Sequence, residues 1–232
     1  PASIHGGGYG DATTVRDDVI VKFGTSSSTA SQYPMLYGAL YGGSALGTVN
    51  TDNTKTTTVD VLNGTIKGYV YGGGLGRAAV AAVGTPGDPG YVPAVTAVEA
   101  IVYGEVHVNI GSSSSGQANL RECNVFGCNN VNGSPQKDVY VDIYQTGHTL
   151  SDLASNLDVD NDFAILQVFG GGNRANYNTS GDHSTTQGYR THIHVHGCEN
   201  TISAIYGGGN AADAVGVEVI VEGGRFGEIY GG

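Results

Sequence analysis

One pattern recurs seven times along the chain and constrains its fold more than any other feature. Each copy has an aliphatic residue, then an aromatic residue or histidine, then one to three glycines. The copies are Ile4-His5-Gly6-Gly7-Gly8, Leu40-Tyr41-Gly42-Gly43, Val70-Tyr71-Gly72-Gly73-Gly74, Val125-Phe126-Gly127, Val168-Phe169-Gly170-Gly171-Gly172, Ile205-Tyr206-Gly207-Gly208-Gly209 and Ile229-Tyr230-Gly231-Gly232. One such unit is too small to bury a core, but stacked units share a continuous one. The chain is therefore expected to be a repeat protein.

A short alternating segment precedes most of these copies. Its instances are Val19-Ile20-Val21-Lys22-Phe23, Val59-Asp60-Val61-Leu62, Val106-His107-Val108-Asn109-Ile110, Val139-Tyr140-Val141-Asp142-Ile143, Thr191-His192-Ile193-His194-Val195 and Val217-Glu218-Val219-Ile220-Val221. Every second residue is mostly aliphatic and the residues between are mostly polar, which is the pattern of a strand with one buried face. Each unit is thus predicted to hold this strand, a glycine turn, a second strand that ends in the aromatic residue, and a variable loop.

These units predict an all-β fold, a right-handed parallel β-helix (β-solenoid) with Gly-rich corners and extruded loops. Glycine suits the corners because it adopts positive φ without steric cost and lets neighbouring backbones approach closely. The loops are expected at residues 48–56, 78–97 and 145–162, where units are longer. We expect one domain over residues 1–232, with about six to seven coils, as a fragment of a longer repeat protein. A β-propeller, the main alternative, needs a longer period than the 24 residues from Tyr206 to Tyr230.

Composition excludes several classes of partner. The chain has 10 basic and 21 acidic residues, for a net charge of −11. A nucleic-acid partner is not expected, because binding to phosphates needs a basic surface. Membrane insertion is not expected either, because the sequence has no apolar run of about 18 residues. The three cysteines, Cys123, Cys128 and Cys198, leave two readings open: one disulfide with a spare thiol, or three buried thiols.

The combined motif, V-x-V-x-I followed by a glycine and then I-x-x-V-Y-G-G-G-N, resembles the repeats of large cell-surface proteins of gut Bacteroidetes. More broadly, it is similar to the right-handed β-helix adhesin and pectate-lyase-like group. The resemblance implies the fold and an extracellular, cell-surface location. It rests on structural residues, so it carries over no catalytic residue.

Three alternating histidines form the first candidate metal site. His192, His194 and His196 point to one side of a predicted strand, spaced about 7 Å apart. They could bind Zn²⁺ or Ni²⁺ together only if the strand bends or a neighbouring coil contributes a ligand. The same residues could instead form a pH-responsive face, or simply a solvated polar face.

An acidic loop forms the second candidate metal site. Asp158, Asp160 and Asp162 alternate in the manner of a Ca²⁺ loop. The loop departs from the EF-hand pattern, because Phe163 stands where that pattern has glycine. The same residues could instead form a polar loop without a metal. Ca²⁺ and Zn²⁺ are thus the candidate ions, and no cofactor is expected otherwise.

Glycans are the expected small-molecule partners. Tyr140, Tyr144 and Tyr177 lie outside the aromatic repeat and could either stack on sugars or pack as the repeat aromatics do, and Asp142 lies between the first two. The outward acids Asp60, Asp142, Glu218 and Glu222 could serve a glycan-cleaving enzyme. They could equally keep a sheet face wet and non-aggregating.

Three functions follow from these observations. The first is an extracellular structural or adhesive module, a rigid rod or fibre subunit that self-associates by end-to-end or lateral stacking. The second is a polysaccharide lyase or glycoside hydrolase on the same scaffold. The third is metal capture by the histidine strand.

Overall fold

The computed structural model describes residues 2–25, 33–112, 117–146, 163–177 and 188–232. Within these ranges every regular element is a β-strand. The first nine are β1 (Ile4–His5), β2 (Thr14–Val15), β3 (Val19–Phe23), β4 (Met35–Leu36), β5 (Ala39–Tyr41), β6 (Thr48–Val49), β7 (Thr56–Val61), β8 (Asn63–Ile66) and β9 (Tyr69–Tyr71). The others are β10 (Glu105–Ile110), β11 (Gln117–Phe126), β12 (Val139–Ile143), β13 (Ile165–Phe169), β14 (Thr191–Val195), β15 (Thr201–Tyr206), β16 (Val217–Val221) and β17 (Arg225–Tyr230).

The strands form two long parallel sheets, and the chain alternates between them. The aromatic sheet runs in the order β1-β5-β9-β11-β13-β15-β17, with β4 and β8 paired beside it, and the histidine sheet runs β3-β7-β10-β12-β14-β16. Every pairing between named strands is parallel. Each repeat unit therefore adds one strand to each sheet, in the same direction as the unit before. The prediction of an all-β, parallel repeat fold is confirmed, and this topology fits a β-solenoid.

The main core lies between the two sheets, and the register aligns the inward residues of each unit. One inward row of the histidine sheet is Val21, Val59, Val108, Val141, Ile193 and Val219. The facing row of the aromatic sheet is Leu40, Val70, Val125, Val168 and Ile205. Both rows belong to one hydrophobic cluster. Since each fully buried Val or Ile contributes only about 1.5–3 kcal/mol, a unit gains its stability by sharing this core with its neighbours.

The ring-bearing residues of the glycine motif stack into a ladder on the other side of the aromatic sheet. The ring centroids of His5, Tyr41, Tyr71, Phe126, Phe169, Tyr206 and Tyr230 follow one another at 4.5, 4.8, 5.0, 4.7, 4.8 and 5.2 Å. The stacking predicted for Tyr71, Tyr206 and Tyr230 is therefore present. A row of asparagines bridges units alongside it: the Asn173 amide donates to Oδ1 of Asn130, and the Asn210 amide donates to Oδ1 of Asn173, both at 3.0 Å.

The first glycine of each motif lies where neighbouring backbones come closest. A Cβ added to Gly6, Gly42, Gly72, Gly127, Gly170 or Gly207 would lie within 3.0 Å of the carbonyl oxygen of the equivalent glycine one unit on. The amide of each also donates to the carbonyl of the aromatic residue of that unit, as from Gly170 to Tyr206 at 2.9 Å. These corners therefore exclude any side chain, as the repeated glycines predict.

The expected loops have different outcomes. Residues 77–98 form an extruded hairpin, the arm, whose antiparallel bridges join Arg77 to Val98, Val80 to Val95 and Val83 to Val92. By contrast, residues 48–56 are only partly loop, which corrects the expectation there. Strand β6 lies within them and pairs with β2 in a third, short parallel sheet. The remaining expected loop, residues 145–162, lies almost entirely outside the described residues.

All three cysteines are free, and Cys123 and Cys128 are buried. The disulfide reading is therefore wrong for this structure, and the reading of three buried thiols is wrong for Cys198, which is exposed. Separately, the described residues include no helix with the length and apolar character needed to cross a membrane.

Candidate functional site

The outer face of the histidine sheet gathers most of the predicted site residues into aligned rows. Parallel register places equivalent outward residues of successive units side by side. One row is Ile20, Thr58, His107, Tyr140, His192 and Glu218. The next is Lys22, Asp60, Asn109, Asp142, His194 and Ile220. A third row, just beyond the strands, contains Tyr144, His196 and Glu222.

Rings stack across units on this face. His107, Tyr140 and His192 form one stack, with centroids 4.9 and 4.7 Å apart and planes within 9°. Tyr144 stacks on His196 at 4.5 Å. Histidines therefore cover both faces of the Tyr140 ring. Among the described residues, only one face of Tyr144 is covered, because Gly111, its neighbour in the third row, has no side chain. Of the predicted sugar platforms on this face, Tyr144 is the better placed.

His192 and His194 of β14, and His196 immediately after that strand, each contact a carboxylate from a neighbouring unit. His192 Nδ1 lies 2.6 Å from Oε2 of Glu218, and His194 Nε2 lies 3.0 Å from Oε1 of Glu222. His196 Nε2 lies 2.8 Å from Oδ1 of Asp142. The histidines point outward, as their alternation predicts. A shared metal site would also need a ligand from a neighbouring unit, and Asp142 of the preceding unit lies beside them.

The polar surroundings also shift proton affinities. The amide of Gly197 and the ring of His194 both bond Glu222 and lower the pKa of its carboxyl. Desolvation, and after it the negative charge of Asp138, raises the pKa of Tyr140. Glu222 is thus held as a carboxylate and Tyr140 as a neutral phenol at neutral pH.

Asp142, His194 and His196 lie closest to a common point. One ligand atom from each falls within 4.8 Å of the other two. The ring centroids of His194 and His196 are only 3.6 Å apart, although alternate residues on a strand are about 7 Å apart. A small cavity of about 150 Å³ opens beside Asp142 and His194, with Glu218 also in its lining. The two imidazoles thus lean together next to a carboxylate and an open space.

The outward acids considered for catalysis all have protein partners. Asp60 accepts a hydrogen bond from the Asn109 amide at 2.8 Å, and Asp142, Glu218 and Glu222 contact histidines. These contacts suit a polar, hydrogen-bonded sheet face. Asp142 and Glu218 line one cavity, but its volume of about 150 Å³ is below the roughly 300–1,000 Å³ of ligand pockets.

Tyr177 does not lie on this face, which corrects its prediction as a sugar platform. Its side chain is fully buried in the main core. Its hydroxyl donates to the carbonyl of Lys137 at 2.9 Å, and its backbone bridges to Ala214. A ring enclosed in this way has no face for a ligand.

The acidic loop lies elsewhere in the chain. Asp158, Asp160 and Asp162 fall outside the described residues. The Ca²⁺ site predicted there therefore stays a prediction.

A larger cavity was not predicted from the sequence. It measures about 520 Å³, lies next to the root of the arm, and has Glu99, Asn132, Arg174 and Asn176 in its lining. These residues come from separate units and have no shared local motif. Only the arm itself, a long insertion between two units, marks this region in the sequence.

Comparison with known proteins adds no relative. No protein-family model, curated protein or solved structure matches the chain. Function must therefore be argued from the chemistry of this molecule.

Proposed function

We propose that the chain is a structural module of an extracellular right-handed parallel β-helix protein, and that it associates laterally with copies of itself through the arm, residues 77–98. The observation that carries this proposal is the apolar surface of the arm. The stacked sheets give a rigid rod, and the arm extends from that rod into solvent. An extracellular, cell-surface location follows the resemblance of the repeats.

The arm exposes valines where a free-standing loop would normally be polar. Val80, Val83, Val92 and Val95 are all exposed. Between residues 78 and 97 the only charged residue is Asp88. A two-stranded hairpin is marginally stable by itself in water, so covering these valines would stabilise it. An exposed apolar segment of this kind marks an interaction surface.

A second copy of the chain is the occupant that fits best. The valines recur every third residue on both strands of the arm, and each bridge joins one valine to another above the Arg77 root. Two arms related by a two-fold axis would therefore present the same valines to each other, which is the arrangement of an isologous interface. With one carboxylate in twenty residues, the arms also repel each other little. The other mode of self-association, end-to-end stacking, would join the edges of β16 and β17 in one copy to those of β3 and β1 in the next.

Size-exclusion chromatography with light scattering, over a series of protein concentrations, tests this proposal. We expect the wild-type chain to form dimers or larger species, and Val83→Asp to raise the dissociation constant more than tenfold, because it buries an unpaired carboxylate. Ile20→Asp is the matched control, since Ile20 and Val83 are both 63% exposed and Ile20 lies on the histidine sheet. Deletion of residues 78–97 should act like Val83→Asp.

The outcomes separate the modes of assembly. A wild-type chain that stays monomeric at high concentration overturns self-association altogether. Association that survives both Val83→Asp and deletion of the arm overturns the arm as its site. Long fibres in negative stain that persist after the deletion would indicate end-to-end stacking in its place.

Glycan cleavage is the second candidate, and the large cavity favours it. Cleavage of a glycan needs acid–base groups around the substrate, and a carboxylate, Glu99, and a cation, Arg174, line the same space of about 520 Å³. Release of unsaturated or reducing products from a panel of acidic polysaccharides, lost in Arg174→Ala and Glu99→Gln, would support this activity. Absence of product across the panel would exclude it for those substrates.

A further inference from the structure

We propose that Asp142, His194 and His196 form a three-ligand site for a divalent first-row transition metal, with Zn²⁺ as the test ion. The three residues come from two units. Asp142 lies on β12, directly beside His194 of β14 in the parallel register, and His196 follows β14. The site therefore exists only when the two units are stacked, and the proposal goes beyond the structural role argued above.

The geometry is close to that of a bound metal. Bonds of about 2.0–2.1 Å in a tetrahedral site separate neighbouring ligand atoms by about 3.4 Å. In this structure one ligand atom from each of the three residues lies within 4.8 Å of the others, and His196 Nε2 is already 2.8 Å from Asp142 Oδ1. All three side chains are partly solvent-exposed, so the Asp142 carboxylate can adjust to a metal while the two imidazoles stay in place.

Neighbouring groups hold the two imidazoles in position. The Tyr144 ring stacks on His196 with planes 6° apart, which fixes the orientation of that imidazole. Glu222 contacts Nε2 of His194 through one oxygen and accepts the Gly197 amide through the other, at 3.1 Å. A carboxylate that orients a ligating histidine is the usual outer-shell partner in zinc sites.

The donor set selects the class of metal. Two imidazoles and one carboxylate suit Zn²⁺ and its first-row neighbours, and they match the ligand set of open zinc sites that keep a fourth position for water. Ca²⁺ and Mg²⁺ prefer six or more oxygen ligands and are disfavoured here. The 150 Å³ cavity beside Asp142 and His194 provides space for a water on the metal.

The local charge also favours a cation. Asp142, Glu218 and Glu222 each contact one of the three histidines. The chain as a whole carries a net charge of −11. The test of the proposal therefore separates metal binding from ion pairing.

Isothermal titration of the full chain with ZnCl₂, in a buffer that does not bind metals, provides that test. We expect one Zn²⁺ per chain. Asp142→Asn and His196→Ala should each weaken binding by more than the roughly 10–100-fold that loss of an outer-shell partner causes, and Glu222→Gln should fall within that range. His107→Ala is the matched control, because His107 stacks on Tyr140 on the same face but lies outside the cluster.

A second readout guards against variants that fail to fold. Co²⁺ bound by the wild-type chain should give the visible absorption of a four- or five-coordinate site, and Asp142→Asn, which keeps the side-chain shape, should lose it. Each variant is used only if its metal-free melting temperature matches that of the wild type. Zn²⁺ binding unchanged in Asp142→Asn and His196→Ala, an equal loss in His107→Ala, or displacement of Zn²⁺ by equimolar Ca²⁺ would overturn the proposal.

Discussion

Two glycines in successive copies of the motif, Gly170 and Gly208, should respond to alanine in opposite directions. A Cβ at Gly170 would approach both the Gly207 carbonyl oxygen and the Thr191 side chain within 3.0 Å. A Cβ at Gly208, the second glycine of its motif, would meet nothing within 4 Å, and the φ of Gly208 lies outside the positive range. Gly170→Ala and Gly208→Ala therefore add the same methyl group to two successive copies of the motif, once into a closed corner and once into open space. The openness is particular to Gly208, because a Cβ at Gly171, the second glycine of the preceding copy, would lie 2.7 Å from the amide nitrogen of Gly209.

The expected free energies differ in sign. Overpacking by one methyl group costs typically 1–3 kcal/mol, and the clash at Gly170 is with a backbone carbonyl that cannot rotate away, so we expect a loss of about 3 kcal/mol or more. Separating the two units there would also lengthen the hydrogen bond from the Gly170 amide to Tyr206. At Gly208 the methyl group mainly restricts the unfolded chain, which stabilises by about 0.4–1 kcal/mol.

Urea unfolding followed by circular dichroism measures both effects. With a slope near 3 kcal/mol per molar urea, Gly170→Ala should lower the unfolding midpoint by about 1 M, and Gly208→Ala should leave it equal or slightly higher. Equal midpoints for the two variants, or a greater loss in Gly208→Ala, would refute the argument that close approach of units is what requires glycine at the corner.

Two further predictions concern the buried core. With a thiol reagent at pH 8, only Cys198 should react in the native chain, because Cys123 and Cys128 are buried and desolvation raises the pKa of both thiols; all three should react in denaturant. Fast reaction of a second thiol in the native chain would contradict this. Tyr177→Phe should cost about 0.5–1.5 kcal/mol in urea unfolding, because it removes the hydrogen bond to the Lys137 carbonyl, whereas no loss would show that this bond contributes nothing net.

The long strands and the glycine corners could be predicted because their signals are local. Alternation along Val139–Ile143 and Thr191–Val195 appears within five residues, and the buried positions match it at every step. The corner glycines repeat with the aromatic residue, so the ladder of rings could be predicted as well. These features recur in each unit, and recurrence makes a weak local pattern readable.

The third, short sheet could not be predicted, because its strands give no local signal. Its strands are two residues long, as at Thr48–Val49, which is too short to show a period of two. Val49 is nevertheless fully buried and bridges to Val102. The burial of Tyr177 has no local signal either, because its backbone makes only an isolated bridge, to Ala214.

The cluster of Asp142, His194 and His196 could not be predicted for a different reason, because it depends on register between units of unequal length. Asp142 and His194 are 52 positions apart in sequence, and the intervening segment includes residues that belong to neither long sheet. The alternation of His194 and His196 shows that both face outward, but no local pattern reveals which residue of the preceding unit lies beside them. That residue is fixed by the stacking of the cores, which aligns Val141 with Ile193 and so brings Asp142 to the histidines. Loss of stacking between these two units would therefore remove the proposed metal site together with the core contact that creates it.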